Sequence, residues 1–276
     1  MINDSIEDIQ KKCLMILKEV IRICEKNDIK YYLVGGSALG AYRHKGFIPW
    51  DDDIDIAIPR IQYAEFINCC KKDLHKKFYL QDTSTEDQFI FPFIKIRMRE
   101  TAYVDKDLAH IHMHHGIFLD VFPLDNVPDG RGGQFYQKNG LKVCNAIRMA
   151  KLKLKSPSLL KNVILVFMRH FFPGKYLEAL YMHFMLLAQD ETTLQIGNLV
   201  GAYDYGKEAL EREVFGEGIL LEFEDIYCRV PSQIENFLRG IYGTTYMQLP
   251  SIDKRKTHNP IVISFSDEYT PRRTQK

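Results

Sequence analysis

The chain has 276 residues, 46% of them apolar and 26% charged, which is the balance of a globular protein with a full core and excludes a disordered chain. Its 37 lysines and arginines stand against 36 aspartates and glutamates, a formal net charge of +1, so global charge gives no argument for a nucleic-acid partner. The six cysteines (Cys13, Cys24, Cys69, Cys70, Cys144 and Cys228) form no C-x-x-C pair and read as reduced thiols. The start, Met-Ile-Asn-Asp-Ser-Ile-Glu-Asp, has neither a basic nor an apolar leader region, and the apolar run Val163–Met168 is far too short for a bilayer. The expectation is a cytoplasmic chain, soluble or peripheral to a membrane.

In chain order, Ile6, Ile9, Cys13, Ile16, Val20 and Cys24 recur at helical spacing and predict an amphipathic helix ending near Asn27. Tyr31 to Val34 reads as a short buried strand that runs into Gly35-Gly36-Ser37, a tight turn opening a short helix from Ala38 to Arg43. Ile54, Ile56 and Ile58 alternate with Asp53, Asp55 and Ala57, the pattern of a strand with one polar face, which Pro59 stops. A helix is predicted over Ile61 to Lys72, and a strand over Phe89 to Met98 with Lys95 and Arg97 on one face. Another strand, Gly116 to Phe122, carries Asp120 and is stopped by Pro123. From Gly130 to Leu177 there is no acid at all, while Arg131, Lys138, Lys142, Arg148, Lys151, Lys153, Lys155, Lys161, Arg169 and Lys175 alternate with apolar residues; this predicts two or three helices with a basic surface. From about Leu220 the chain returns to mixed structure, with a helix from Pro231-Ser232 to Ile241. The sum is an α+β fold: a mixed-sheet core over 1–130, a basic helical insert over 131–215, and a segment over 216–276 that completes the core.

The chemistry concentrates between Gly35 and Asp55. A Gly-Gly-Ser turn between a strand and a helix lets backbone N–H groups and a hydroxyl approach a phosphate, although such turns are common without one. Asp53 and Asp55 share a strand face two residues apart, where two carboxylates repel unless a cation lies between them; a hard divalent ion with oxygen ligands suits them. Asp120, on another apolar strand, would complete a metal triad if the two strands are neighbours.

These features together resemble the nucleotidyltransferase superfamily. The wording G-G-S-A-L-G-A-Y-R-H-K-G-F-I-P-W-D-D-D-I-D-I, then F-L-D-V-F-P-L-D-N-V-P, and finally Y-G-T-T-Y-M-Q-L-P-S-I-D-K-R-K-T-H is similar to one branch of it, the LicD family, which includes bacterial phosphocholine transferases and is related to the fukutin-type ribitol-phosphate transferases. The resemblance runs from about Tyr31 to His258 and is weakest in the basic middle section. It implies a nucleotidyltransferase-like core, Asp53, Asp55 and Asp120 as catalytic ligands of Mg2+ or Mn2+, and Gly36 and Ser37 as the phosphate turn, where many members carry Thr in place of Ser. Arg43 and Lys45 match its R-H-K step, Lys95 and Arg97 its K-I-R step, and His258 its terminal histidine.

The implied reaction takes CDP-choline as donor and a lipid-linked glycan, such as a teichoic acid precursor, as acceptor. An acceptor hydroxyl attacks the phosphorus attached to choline and CMP leaves, with Asp51 or Asp120 drawing the proton. Arg43, Lys45, Lys95 and Arg97 are candidate diphosphate clamps, each of which alone reads equally as a solvated surface cation. Transfer of ribitol or glycerol phosphate from a CDP donor, or a non-catalytic binding role, are the alternatives. A quaternary ammonium is held by aromatic faces; Trp50, the one tryptophan, sits beside the acids, with Tyr42, Tyr103 and Tyr203 as further candidates and ordinary core packing as the other reading. His110, His112, His114 and His115 crowd before the Asp120 strand, as a polar rim or a transition-metal site. The basic helical section suits either a lid or contact with the anionic inner membrane face.

Overall fold

The computed structural model describes residues 2–152, 174–190, 192–255, 257–258 and 260–271. Helix α1 (Ile2–Lys26) buries the stripe Ile9, Cys13, Ile16, Val20 and Cys24, as its spacing requires. There follow β1 (Tyr32–Leu33), α2 (Gly35–His44), β2 (Asp55–Pro59), α3 (Arg60–Asp73), β3 (Phe78–Gln81), β4 (Ile94–Met98), β5 (Ala102–Asp105) and β6 (Phe118–Val127). The main sheet has the order β1-β2-β6-β4-β3. The β2–β6 pair is parallel and the remaining pairs along that path are antiparallel. Alternation gives the sheet two different faces. Ile54, Ile56, Ile58, Ile94, Ile96, Leu119 and Val121 are buried on the side where α1 and α3 pack. The other face carries the polar residues described below.

Three boundaries differ from the expectation. Helix α2 begins at Gly35, so the Gly-Gly-Ser stretch is its first turn rather than a loop before it. Strand β4 begins at Ile94, and Phe89 to Phe93 lie outside it. Pro123 does not stop β6, which continues to Val127. The last β4 pair is Ile94 with Val121 and the first pair with the later strand is at Asp125, so on that edge the missing Pro123 N–H leaves no ladder acceptor unpaired.

The second half supplies α4 (Arg131–Lys151), α5 (Gly174–Met185), β7 (Gln195–Gly197), α6 (Tyr205–Glu208), β8 (Leu210–Glu211), α7 (Arg212–Phe215), β9 (Ile219–Phe223), β10 (Ile226–Val230), α8 (Ile234–Tyr242), a 3-10 turn (Ile252–Lys254) and β11 (Pro260–Ser264). The basic stretch thus yields α4 and α5, while Lys153, Lys155, Lys161 and Arg169 lie outside the described residues. Leu141, Cys144 and Ile147 of α4 and Leu177, Tyr181 and Phe184 of α5 join the same apolar core as the sheet. The end of the section expected to be helical is partly strand: β7 pairs with both β6 and β8 and so extends the sheet. Strands β9 and β10 form a hairpin, and β11 pairs with β5. All six cysteines are free thiols. Among the described residues no helix is long and apolar enough to cross a membrane.

Candidate active site

Strand register assembles the centre of the site. Asp55 of β2 pairs with Asp120 of β6, Asp120 with Lys95 of β4, and Lys95 with Gln81 of β3. Register partners project from the same face, so four polar side chains from four strands form one row across the sheet. Asp53 precedes β2 and lies close enough to Asp120 and Lys95 for their charges to act on it. Lys95 Nζ lies 2.5 Å from Asp120 Oδ1 and 3.7 Å from the centre of the Phe118 ring. Arg97, in the next row, is buried and donates to Gln81 Oε1 and to the Gly116 carbonyl at 2.6 Å. Burial pulls Lys95 below the ordinary lysine value against the attraction of Asp120, and brings Arg97 down to about 10.

Asp55, Asp120 and Lys95 of this row line a cavity of about 750 Å³. Helix α2 points its N-terminus into it. Val34, the residue before that helix, has no capping side chain, so the N–H groups of the first turn keep their attraction for anions. Gly35 adopts φ +53°, a conformation that favours glycine. A Cβ on Gly36 would stand 2.6 Å from Asp51 Oδ2, so the missing side chain is what lets the Asp51 carboxylate sit against the helix end. The Ser37 hydroxyl accepts the Asp55 backbone N–H at 2.9 Å and ties the helix to the start of β2.

Asp51, Asp53 and Asp55 crowd one another. Burial, then repulsion by neighbouring carboxylates, pushes Asp51 and Asp55 well above the ordinary carboxylate range; burial also takes Asp53 up to about 6, with His258 opposing and Asp120 and Asp52 adding to it. Opposing charge comes from His258. Its Nδ1 lies 2.9 Å from Asp52 Oδ1 and its Nε2 3.6 Å from Asp53 Oδ2, while its backbone N–H donates to Asp52 Oδ2 at 3.1 Å. The Tyr103 hydroxyl donates to that same Asp52 oxygen. Burial works against a charge on His258, but the Asp52 hydrogen bond and the charges of Asp53 and Asp52 outweigh it and push the ring up to about 9.

Asp52, Asp53 and His258 each offer one ligand atom within 4.8 Å of the others. These three residues could hold a metal ion; without one, the raised His258 ring is a countercharge to the two carboxylates. Asp51, Asp55 and Asp120 add further carboxylates beside this group, and the repulsion among such acids is what a bound cation relieves.

The other sequence candidates divide. Arg43 lines the cavity, with Nη1 donating to the Tyr246 carbonyl at 2.8 Å. Lys45 is not brought to it: the side chain is 73% exposed and pairs with Glu222 of the hairpin at 3.1 Å. Trp50 lines the cavity, but the Arg255 guanidinium already lies 4.3 Å from its ring centre. The Tyr42 hydroxyl turns to Glu235, whereas Tyr203 lines the cavity. Among the described residues the histidines before β6 form no group able to hold a metal ion. His114 stacks on Tyr79 and pairs with Glu268 at 3.3 Å, and His115 Nε2 lies 2.9 Å from the Ile111 carbonyl. Reading the sequence missed Asp52, Arg148, Glu208 and Tyr242. The D-D-D run was the available signal for Asp52, but residues 51–54 precede the regular strand and do not alternate as β2 does.

A family model described as LicD/FKTN/FKRP, nucleotidyltransferase domain, matches residues 28–157. The chain is 30% identical over 265 residues to the lipopolysaccharide cholinephosphotransferase LicD of Haemophilus influenzae, a match covering 91% of this chain and 94% of that protein. The chain belongs to the LicD family. It is also 27% identical over 129 residues to the human ribitol 5-phosphate transferase FKRP, over 42% of this chain and 24% of that protein. The segment matched by the LicD model holds α2, the acids from Asp51 to Asp55, Lys95, Arg97 and Asp120. His258, Tyr203, Glu208 and Tyr242 reach the cavity from outside that segment.

Proposed function

We propose that this LicD-family chain transfers phosphocholine from CDP-choline to a hydroxyl of a teichoic acid or related glycan precursor, with release of CMP, on a nucleotidyltransferase-like core. The observation that carries the reading is the register of Asp55 with Asp120 beside Lys95, under the N-terminus of α2. That arrangement suits a ligand bearing a diphosphate and a divalent cation. Similarity to a cholinephosphotransferase over nearly the whole chain supports choline as the alcohol. The shorter match to a ribitol 5-phosphate transferase makes an alditol phosphate from its CDP donor the second reading. The carboxylates Asp53, Asp55 and Asp120 argue against a binding protein without turnover.

Asp53, Asp55 and Asp120 would hold Mg2+ or Mn2+, which screens the diphosphate and stabilises the charge that develops on the leaving oxygen. Lys95 and Arg97, fixed in the sheet, add positive potential that is already oriented before the donor binds, with Arg43 and the free N–H groups of α2 on the facing side. Gly36 and Ser37 form the turn against which a phosphate would rest. The acceptor oxygen forms a bond to the phosphorus bearing choline, the bond from that phosphorus to the bridging oxygen breaks, and its electron pair leaves with CMP. With three carboxylates assigned to the cation, Asp51 is the carboxylate left to take the acceptor proton. A lipid-linked acceptor would place the chain at the inner membrane face.

Release of CMP from CDP-choline in the presence of acceptor and Mg2+ tests the reading. Asp53→Asn and Asp55→Asn should each reduce that release roughly a hundredfold or more while the protein stays folded. Pyrophosphate as product, or wild-type turnover in either folded variant at saturating Mg2+, would refute it.

A further inference from the structure

One buried carboxylate of the cavity has no part in the mechanism above. Glu208, at the end of α6, is 7% exposed and lines the cavity. The loop that precedes α6 is shaped around it: a Cβ on Gly201 would stand 2.9 Å from Glu208 Oε1. Beside it, Tyr203 and Tyr242 meet edge to face, with ring centres 5.5 Å apart and planes at 82°, and the Tyr203 hydroxyl donates to that of Tyr242 at 2.8 Å. Burial raises both phenols above the ordinary tyrosine value and the charges of Asp51 and Asp55 add to it, so this corner adjoins the acid cluster.

We propose that Tyr203, Tyr242 and Glu208 form the subsite for a quaternary ammonium group carried by the phosphate being transferred. The assignment rests on the CDP-choline reading above and adds to it the residues that select the alcohol. Two aromatic rings at a right angle beside a carboxyl group that a bound cation would hold ionised are what such a ligand needs: quadrupole attraction at the rings, and a charge partner that requires no N–H donor. Among the described residues Glu208 has no cationic partner. Burial raises it to about 8, the Tyr203 backbone N–H offsets this in part, and no cation is among the described groups acting on it. The other aromatic candidates are engaged elsewhere, Trp50 by Arg255 and Tyr103 by Asp52.

The test compares CDP-choline with its uncharged isostere, in which a carbon replaces the quaternary nitrogen, by calorimetric binding to the full chain. Wild type should bind CDP-choline at least tenfold more tightly than the isostere, and Glu208→Gln should bring that ratio to within about threefold by weakening CDP-choline alone. Tyr203→Phe should keep the preference and Tyr203→Leu should lose it, which reports on the corner even where the Glu208 variant fails to fold. Wild type binding CDP-ribitol as well as or better than CDP-choline overturns the donor reading itself. Wild type that prefers CDP-choline together with a folded Glu208→Gln that prefers it equally overturns the subsite and leaves the donor reading standing.

Discussion

Replacing Asp52 by Asn removes one charge and keeps the shape of a group that accepts from Tyr103 and from His258 at two points. In the folded protein His258 titrates at about 9, against about 6.5 for an unperturbed ring. Each pH unit between folded and unfolded values corresponds to about 1.4 kcal/mol, so full linkage gives about 3 kcal/mol. The His258 side chain is 42% exposed, and solvent screening brings this to about 1.5 kcal/mol. Because the folded value is raised, the stabilisation is complete below about pH 6.5, falls to about 1 kcal/mol near pH 7.5, and disappears as pH passes through 9 towards 10. In Asp52→Asn the hydrogen bond and charge of Asp52 are gone and Asp53 alone opposes the burial of the ring, so His258 falls back towards the ordinary imidazole value and Asp53 loses much of the cation that lowers it. The metal-free variant should therefore be about 1.5 kcal/mol less stable than wild type at pH 6, about 1 kcal/mol less at pH 7.5, and equal near pH 10. Urea unfolding at these three pH values in the presence of a chelator measures the difference. A proton NMR titration of the His258 ring, identified with His258→Gln, measures its cause. A constant stability difference from pH 6 to pH 10, or a wild-type ring that titrates near 6.5, would refute the reasoning.

Gly36→Ala would place a methyl group 2.6 Å from Asp51 Oδ2, the mobile end of a side chain, so the carboxylate turns away while the helix tolerates the change. Unfolding free energy should stay within about 1 kcal/mol and turnover should fall roughly a hundredfold, the contribution of a lost general base; undiminished turnover removes Asp51 from the reaction. On α4, Arg131, Phe135, Lys138 and Lys142 follow helical spacing along one side, and Phe135 is 72% exposed. Reversing Arg131, Lys138 and Lys142 to Glu should weaken binding to vesicles of anionic lipid by about 1 kcal/mol per cation at low salt; wild-type binding that ignores salt and lipid charge would leave the helix as a lid.

The parts of the site legible in the sequence are those that a strand's two-residue period determines. Ile54, Ile56 and Ile58 against Asp55, and Leu119 and Val121 against Asp120, separate an apolar face from a polar one before any partner strand is known. Pairing Asp55 with Asp120 and Lys95 needs the sheet order, which brings together residues far apart in the chain and has no local signature. Where the backbone leaves that period, the reading loses its basis. Asp52 is one of three adjacent acids, and its approach to His258 depends on β11 pairing with β5, which brings the end of the chain beside Tyr103. Lys45 shows the converse. It stands two residues from Arg43, but the left-handed turn at the end of α2, φ 57°, directs it to the hairpin while Arg43 stays at the cavity. Glu208 is preceded by Tyr205, Gly206 and Lys207, a polar context in which a glutamate ordinarily faces water. Its burial follows from the fit of Glu208 against Gly197 and Gly201, a tertiary fact that pattern in one chain does not encode. The acids proposed to act on phosphate are thus written in a local period, whereas the groups proposed to choose the alcohol depend on how distant loops close over them.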